Sequence, residues 1–243
     1  AKVYKDIKQR SFRKNASYQE GRKTKNSRQA RAMEKGSRYG RQMQEEAWQS
    51  AEVDALYRLA AAGVRVPQPY ICHEGVLLMD LVTDADGHSA PRLGEVELTA
   101  DEARSYHARL IVDVVRMLCV GLIHGDLSEY NVLVSPDGPV VIDFPQVVSA
   151  AGNNAARTLL LRDVHNLRDT LSRFAPELAD THYGEEMWAL YEKGELRPDS
   201  TLTGRFKFDT RRADVAAVRM SIEDARQEAV IREQGRREAE ERD

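Results

Sequence analysis

GLIHGDLSEYNVLV, residues 121–134, decides how this chain is read. It sets His124, Asp126, Ser128 and Asn131 close together between apolar residues. Further on, Asp143 closes the apolar run of VVIDFPQ (140–146). Charged groups against apolar sequence demand compensation from a metal or a cation, because an unpaired buried charge is costly. Asp126 and Asn131 fall on one loop. The turn SPDG (135–138) joins predicted strands at 132–134 and 140–142, and pairing of those strands carries Asp143 to the same mouth. Asn131 and Asp143 offer the hard oxygens that Mg²⁺ prefers. Asp126 is then left to accept the proton of an incoming hydroxyl, with Ser128 placed to donate to a γ-phosphate. His124 is assigned to structure, tying the loop to neighbouring backbone. Alone, Asp126 reads as a capping or turn aspartate. Together the residues read as the machinery of phosphoryl transfer, which needs the donor held, its charge offset by metal and the acceptor aimed in line.

Toward the N-terminus, Trp48, Leu56 and Leu59 recur at helical spacing and predict a helix over 41–62, stopped at Gly63 and by the prolines of VPQP. Glu52 lies one turn from both Trp48 and Leu56, on the apolar face. A carboxylate pointing inward needs a cation; Lys2, in the strand-like opening 1–7, is the leading partner, with Arg58 and Arg65 as alternatives. Strands are predicted at 66–71 and 76–82 around a turn at 73–75. Thr99 and Glu102 form a capping box opening a helix to about residue 120, with Tyr106, Leu110, Val114 and Leu118 inward. Everything from about residue 153 reads as helical, and 221–243 as a solvated, highly charged helix. The fold class is therefore α+β, a small, partly β segment ahead of a larger helical one, meeting near 79–82.

Composition narrows the function classes. No apolar run is long enough to span a bilayer, and Cys72 and Cys119 show no metal-type spacing and suit a reducing compartment. Charge is lopsided: residues 1–45 hold 14 Lys/Arg against 4 Asp/Glu, and the remainder 22 against 35. Such a basic arm, with residues 9–40 of loop composition, suits either a solvated loop or a polyanionic partner. The chain opens at Ala1 on AKVYK without an initiator Met, which reads as a fragment cut inside a domain.

With AKVYK (1–5), AEVDALYRL (51–59), VPQP (66–69), VLLMDLV (76–82), GLIHGDLSEYNVLV, VVIDFPQVV (140–148) and RDVHNL (162–167) in hand, the chain resembles the RIO family of atypical protein kinases. Where ordinary protein kinases have a basic residue, a lysine and the triplet DFG, this sequence has Gly125, Ser128 and DFP, as the RIO pattern does. The resemblance implies a bilobal protein-kinase-like fold, with an N-lobe over 1–79, truncated ahead of Lys2 where the phosphate loop belongs. A mainly helical C-lobe would occupy 80–215 and a charged helical tail 216–243. It implies ATP with Mg²⁺ or Mn²⁺. Lys2 would hold the phosphates and Glu52 orient it; Asp126 would be the catalytic aspartate, and Asn131 and Asp143 the metal ligands. Met79 would take the gatekeeper position, Asp80 and Val82 would meet adenine through their backbones, and Leu133 and Ile142 would contact the nucleotide. The expected activity is a cytoplasmic, ATP-dependent serine/threonine protein kinase, or an ATPase switch passing through a phospho-aspartate at Asp143. Its partners would be a protein substrate and a ribosomal particle or RNA reached through 9–40. The rival readings are a small-molecule phosphotransferase of the aminoglycoside- or choline-kinase type, and a nucleotide-dependent module docking on ribosomal RNA.

Overall fold

The computed structural model describes residues 1–3 and 51–208. The expected strand beyond residue 3, the basic loop 9–40, the first half of the helix at 41–62 and the charged tail lie outside the described residues. The chain divides into a compact unit over Ala1–Phe206 and a second over Lys207–Asp243, and the described architecture belongs to the first.

Three short strands, β1 (Lys2–Val3), β2 (Pro69–His73) and β3 (Val76–Met79), form an antiparallel sheet in the order β1-β3-β2. Glu74 and Gly75 make the β2–β3 turn with φ of 47° and 76°. Left-handed backbone at both positions matches the right-handed twist of the flanking strands. β2 starts later than the expected 66–71, because the preceding backbone is engaged elsewhere. Arg65 donates its N–H to the Asp113 carboxylate at 3.3 Å, and its carbonyl accepts from Val141 N–H at 2.9 Å. β3 likewise ends at Met79 rather than 82, since the Val82 carbonyl turns away to accept from Ala90 N–H. Helix α1, described over 51–61, stacks Glu52, Ala55, Leu56 and Leu59 on one buried face at the i, i+3, i+4, i+7 spacing. Glu52 on that face reaches Lys2 of β1, and Leu56 and Leu59 share one buried cluster with Leu77 of β3.

The larger part is organised around α2 (Ala100–Cys119), opened by the expected capping box: Thr99 Oγ1 accepts from Glu102 N–H, and the Glu102 carboxylate accepts from Thr99 N–H at 2.8 Å. Leu110, Val114 and Leu118 are buried on it, and Tyr106 packs half-buried beside them. After α2 come β4 (Leu122–Ile123), the hairpin β5 (Val132–Ser135) and β6 (Gly138–Val141), and β7 (Val148–Ser149), which returns to pair with β4. The β4–β7 pair has only two residues a side, too short for sequence periodicity to register. Helices α3 (Ala156–Leu171) and α4 (Tyr183–Glu192) follow, with a 3₁₀ turn at Pro176–Asp180 between them. The expectation of continuous helix beyond 153 fails after Glu192. Gly194 takes a left-handed φ of 69° and Pro198 follows, and residues 195–208 contain no helix. No helix among the described residues is long and apolar enough to cross a membrane.

Candidate active site

The loop between β4 and β5 is held in place from two sides. Its first anchor is His124, buried at 2 % exposure, where burial depresses the imidazole pKa to about 4 against smaller opposing effects of the Ile142 carbonyl and Asp143. The neutral ring faces the Ile142 carbonyl through Nε2 at 3.1 Å and accepts from Asp126 N–H through Nδ1 at 3.3 Å, a pairing that fixes the tautomer. Ile142 also donates its N–H to the Asn131 carbonyl at 3.0 Å. One residue at the end of β6 thus clasps both ends of the loop, and the next residue in the chain is Asp143.

The second anchor is α3. Asp163, 1 % exposed, accepts from the N–H groups of Gly125 and Leu127 at 2.7 and 3.0 Å. Asn166 donates to the Leu127 carbonyl at 2.9 Å, and the Arg162 guanidinium donates to the Gly125 carbonyl. Burial lifts the Asp163 pKa to about 7, against the two N–H donors and Arg162. The sequence reading quoted RDVHNL without giving Asp163 or Arg162 a task. Their partners are backbone groups, which leave no trace in a residue pattern.

Within this frame the candidate residues converge. Lys2 Nζ lies 2.5 Å from Glu52 Oε1 and 3.0 Å from Asp143 Oδ1, so one ammonium links sheet, helix and the loop after β6. Burial pulls its pKa down, but Glu52 and then Asp143 outweigh burial and the net direction is upward. Asp143 sits at φ 67°, a left-handed conformation that a non-glycine residue adopts at some cost and that turns its side chain back toward Lys2. Asn131 donates Nδ2 to the Asp126 carbonyl at 2.8 Å, which leaves its Oδ1 as an acceptor. Asp126 Oδ2 accepts from Gln146 Nε2 at 3.0 Å. Burial raises the Asp126 pKa, with Arg162 opposing and Asp143 adding to the rise. Gln146 is a further residue that the sequence reading passed over. Ser128 is half-buried beside the loop, and its side chain makes no cap to the turn it precedes.

The Asp143 carboxylate, 3.0 Å from Lys2, and the carboxamide oxygen of Asn131 on the adjoining loop are hard oxygen donors of the type that suits Mg²⁺. Alternation along the β5–β6 hairpin puts half-buried Leu133 and Ile142 on one face. Met79 is half-buried and packs on the core. Asp80 and Val82 are placed differently: they line a groove of about 410 Å³ with Arg65, Val66, Ser135 and Asp137, which none of the other candidates enters. Asp80 N–H is bound to the Gln68 carbonyl at 3.0 Å. Among the described residues, the Asp80 carbonyl and the Val82 N–H have no backbone partner.

The α+β architecture with this loop arrangement is that of the kinase-like fold. The profile of the RIO domain matches residues 4–183, and the chain belongs to that family. It is similar to the RIO-type serine/threonine-protein kinase Rio1 of Haloferax volcanii, 39 % identical over 131 residues that make up 52 % of this chain and 42 % of the relative. It is similar also to the serine/threonine-protein kinase RIO1 of Chaetomium thermophilum (31 % over 135 residues; 52 % of this chain, 26 % of the relative) and of Homo sapiens (32 % over 127 residues; 52 % and 22 %). The matched region spans less than half the length of each relative.

Proposed function

We propose that this chain is an ATP-dependent serine/threonine protein kinase of RIO type. The observation that carries the reading is the Lys2 ammonium between Glu52 and Asp143. It sets a phosphate-binding cation beside a candidate metal ligand, with the candidate base on the adjoining loop. In this reading 1–79 form the N-lobe, 80–215 a mainly helical C-lobe and 216–243 a tail. Asn131 and Asp143 hold the divalent ion; bound there, it would offset charge on the phosphates. Lys2 binds the nucleotide phosphates and Glu52 keeps it oriented. Asp126 accepts the proton of the attacking hydroxyl, and Ser128 donates toward the transferred group. The Asp80 carbonyl and Val82 N–H, which lack a backbone partner among the described residues, offer one acceptor and one donor, the complement of adenine's amino group and neighbouring ring nitrogen. Leu133, Ile142 and Met79 supply apolar contact. The lysine- and arginine-rich 1–45 segment suits a polyanionic partner such as RNA or a ribosomal particle, and an ATP-using protein of this kind belongs in the cytoplasm.

Two substitutions separate the roles. Asp126→Asn keeps Mg·ATP binding and lowers turnover by about 10²–10⁴-fold, the usual worth of a positioned base. Asp143→Asn weakens the metal-dependent part of nucleotide binding. Calorimetric titration and labelled-phosphate transfer measure both. Wild-type turnover by both variants overturns the site, and phosphate appearing on aminoglycosides or amino alcohols but never on protein overturns the substrate class.

A further inference from the structure

Where ordinary protein kinases have a lysine two residues beyond the catalytic aspartate, this sequence has Ser128. The donor found against the Asp126 carboxylate comes from a different loop. Gln146 Nε2 donates to Oδ2 at 3.0 Å. The orientation of the amide is dictated by its partner, since a carboxylate only accepts and the NH₂ end must face it.

The segment carrying Gln146 is built rigidly. Phe144 is buried and packs its ring on His124 with centroids 4.9 Å apart. Val147 is buried and donates its N–H to the Phe144 carbonyl at 3.2 Å, and Val148 pairs with Ile123 in the β4–β7 ladder. The same His124 supports the Asp126 backbone. The backbone at both ends of the Gln146–Asp126 contact is therefore referenced to one buried ring.

We propose that Gln146 is the positioning residue for Asp126, fixing the carboxylate by its Oδ2 so that Oδ1 faces the acceptor hydroxyl. This rests on the reading of Asp126 as the proton acceptor. A neutral amide suits the task because it orients the carboxylate without bringing a formal charge to it. A residue that acts only by orienting the base alters the rate of the chemical step and leaves nucleotide affinity alone.

The test uses the whole chain and three variants at one position. Gln146→Met keeps the size and removes the donor. Gln146→Glu keeps the shape and puts an acceptor against an acceptor. Gln146→Lys restores a donor of similar reach. Loss of orientation alone is worth part of a positioned base, so Met and Glu are expected to lower kcat by about tenfold or more with the KM for ATP within about twofold. Lys is expected to stay within about threefold of wild type, because a charge-assisted donor can replace the amide. Independently of activity, one Gln146 side-chain amide proton should be shifted downfield in the NMR spectrum and return toward the free-amide position in Asp126→Ala.

The outcomes divide cleanly. If Asp126→Asn is inert while Gln146→Met turns over like wild type, or if the Gln146 amide ignores Asp126→Ala, the positioning role is overturned and the reading of Asp126 stands. If Asp126→Asn itself turns over normally, that reading falls and the role of Gln146 falls with it. A Gln146→Lys variant as slow as Gln146→Met shows that restoring a donor does not restore the rate, which also overturns the proposal.

Discussion

Lys2 shows how far a residue's neighbours can outweigh its burial. Desolvation works against the ammonium, yet Glu52 at 2.5 Å and Asp143 at 3.0 Å keep its pKa above that of a free lysine. Charge on Lys2 is therefore secure across the physiological range, and the pair acts as a unit. Lys2→Met and Glu52→Gln are expected to reduce kcat/KM for ATP by similar factors, with the double variant no worse than either single one. Losses that simply multiply in the double variant would argue that the two side chains work separately. Glu52→Ala should also cost about 1.5–3 kcal/mol of stability, as for a hydrogen bond to a charged group, read as a fall in denaturation midpoint. The contact was legible in the sequence because a glutamate on the apolar face of a helix is an anomaly that asks for a partner. The Asp163 and Gln146 contacts were not. Asp163 does stand on the apolar face of its helix with Leu159, Leu160 and Leu167, but its partners are backbone N–H groups that no residue pattern displays, and the Gln146 contact depends on the path of 143–147.

At the scale of elements, the site is gripped between the end of β6 and one face of α3. Arg162, Asp163 and Asn166 project toward the 124–128 loop, and their targets are the Gly125 carbonyl and the Gly125 and Leu127 N–H groups and Leu127 carbonyl. Asp163→Asn keeps one acceptor but turns an NH₂ group against an N–H donor. It is expected to cost about 1–3 kcal/mol, the penalty for a buried group left unsatisfied. The same change should loosen Asp126, so hydrogen exchange at Gly125 and Leu127 should speed up more than at the far end of α3. Equal acceleration throughout α3 would mean that the aspartate supports the helix rather than the loop. Elements with their own signatures could be read in advance: the capping box of α2, the SPDG hairpin, the stop at Gly63. The later start of β2 could not, because it follows from what the Arg65 backbone bonds to, a tertiary matter. The β4–β7 ladder and the helix-free stretch after Glu192 were missed for related reasons. One is too short to have a period, and the other has the charge and apolar content of a helix until Gly194 and Pro198 interrupt it.

Among the described residues of the compact unit, the buried groups His107, His124, Asp113 and Asp163 make stability follow pH, and they oppose one another. His107 and His124 are buried neutral, both with pKa near 4, burial being the first cause in each. An unfolded histidine takes its proton near pH 6.5, so acidification from about 6.5 to 4 favours the unfolded chain on their account. Asp113 and Asp163 are also driven by burial, to about 6 and about 7. In the folded state they hold protons that an unfolded aspartate releases near pH 3.9, so the same acidification favours the folded chain. The two trends meet over one window, and the wild-type midpoint should change little between about pH 4.5 and 6.5. Removing a member of either set uncovers the other. His107→Phe keeps a ring against Tyr183, its neighbour at 5.4 Å, and deletes one acid-side loss worth roughly 3 kcal/mol at pH 4. Its thermal midpoint should rise as pH falls through the window. Asp113→Asn deletes an acid-side gain and should show a midpoint that falls over the same range. Differential scanning fluorimetry from pH 4.5 to 8 reads both slopes. Two variants whose curves run parallel to wild type would mean that neither group changes its protonation preference on folding, and the account of opposed burial would be wrong.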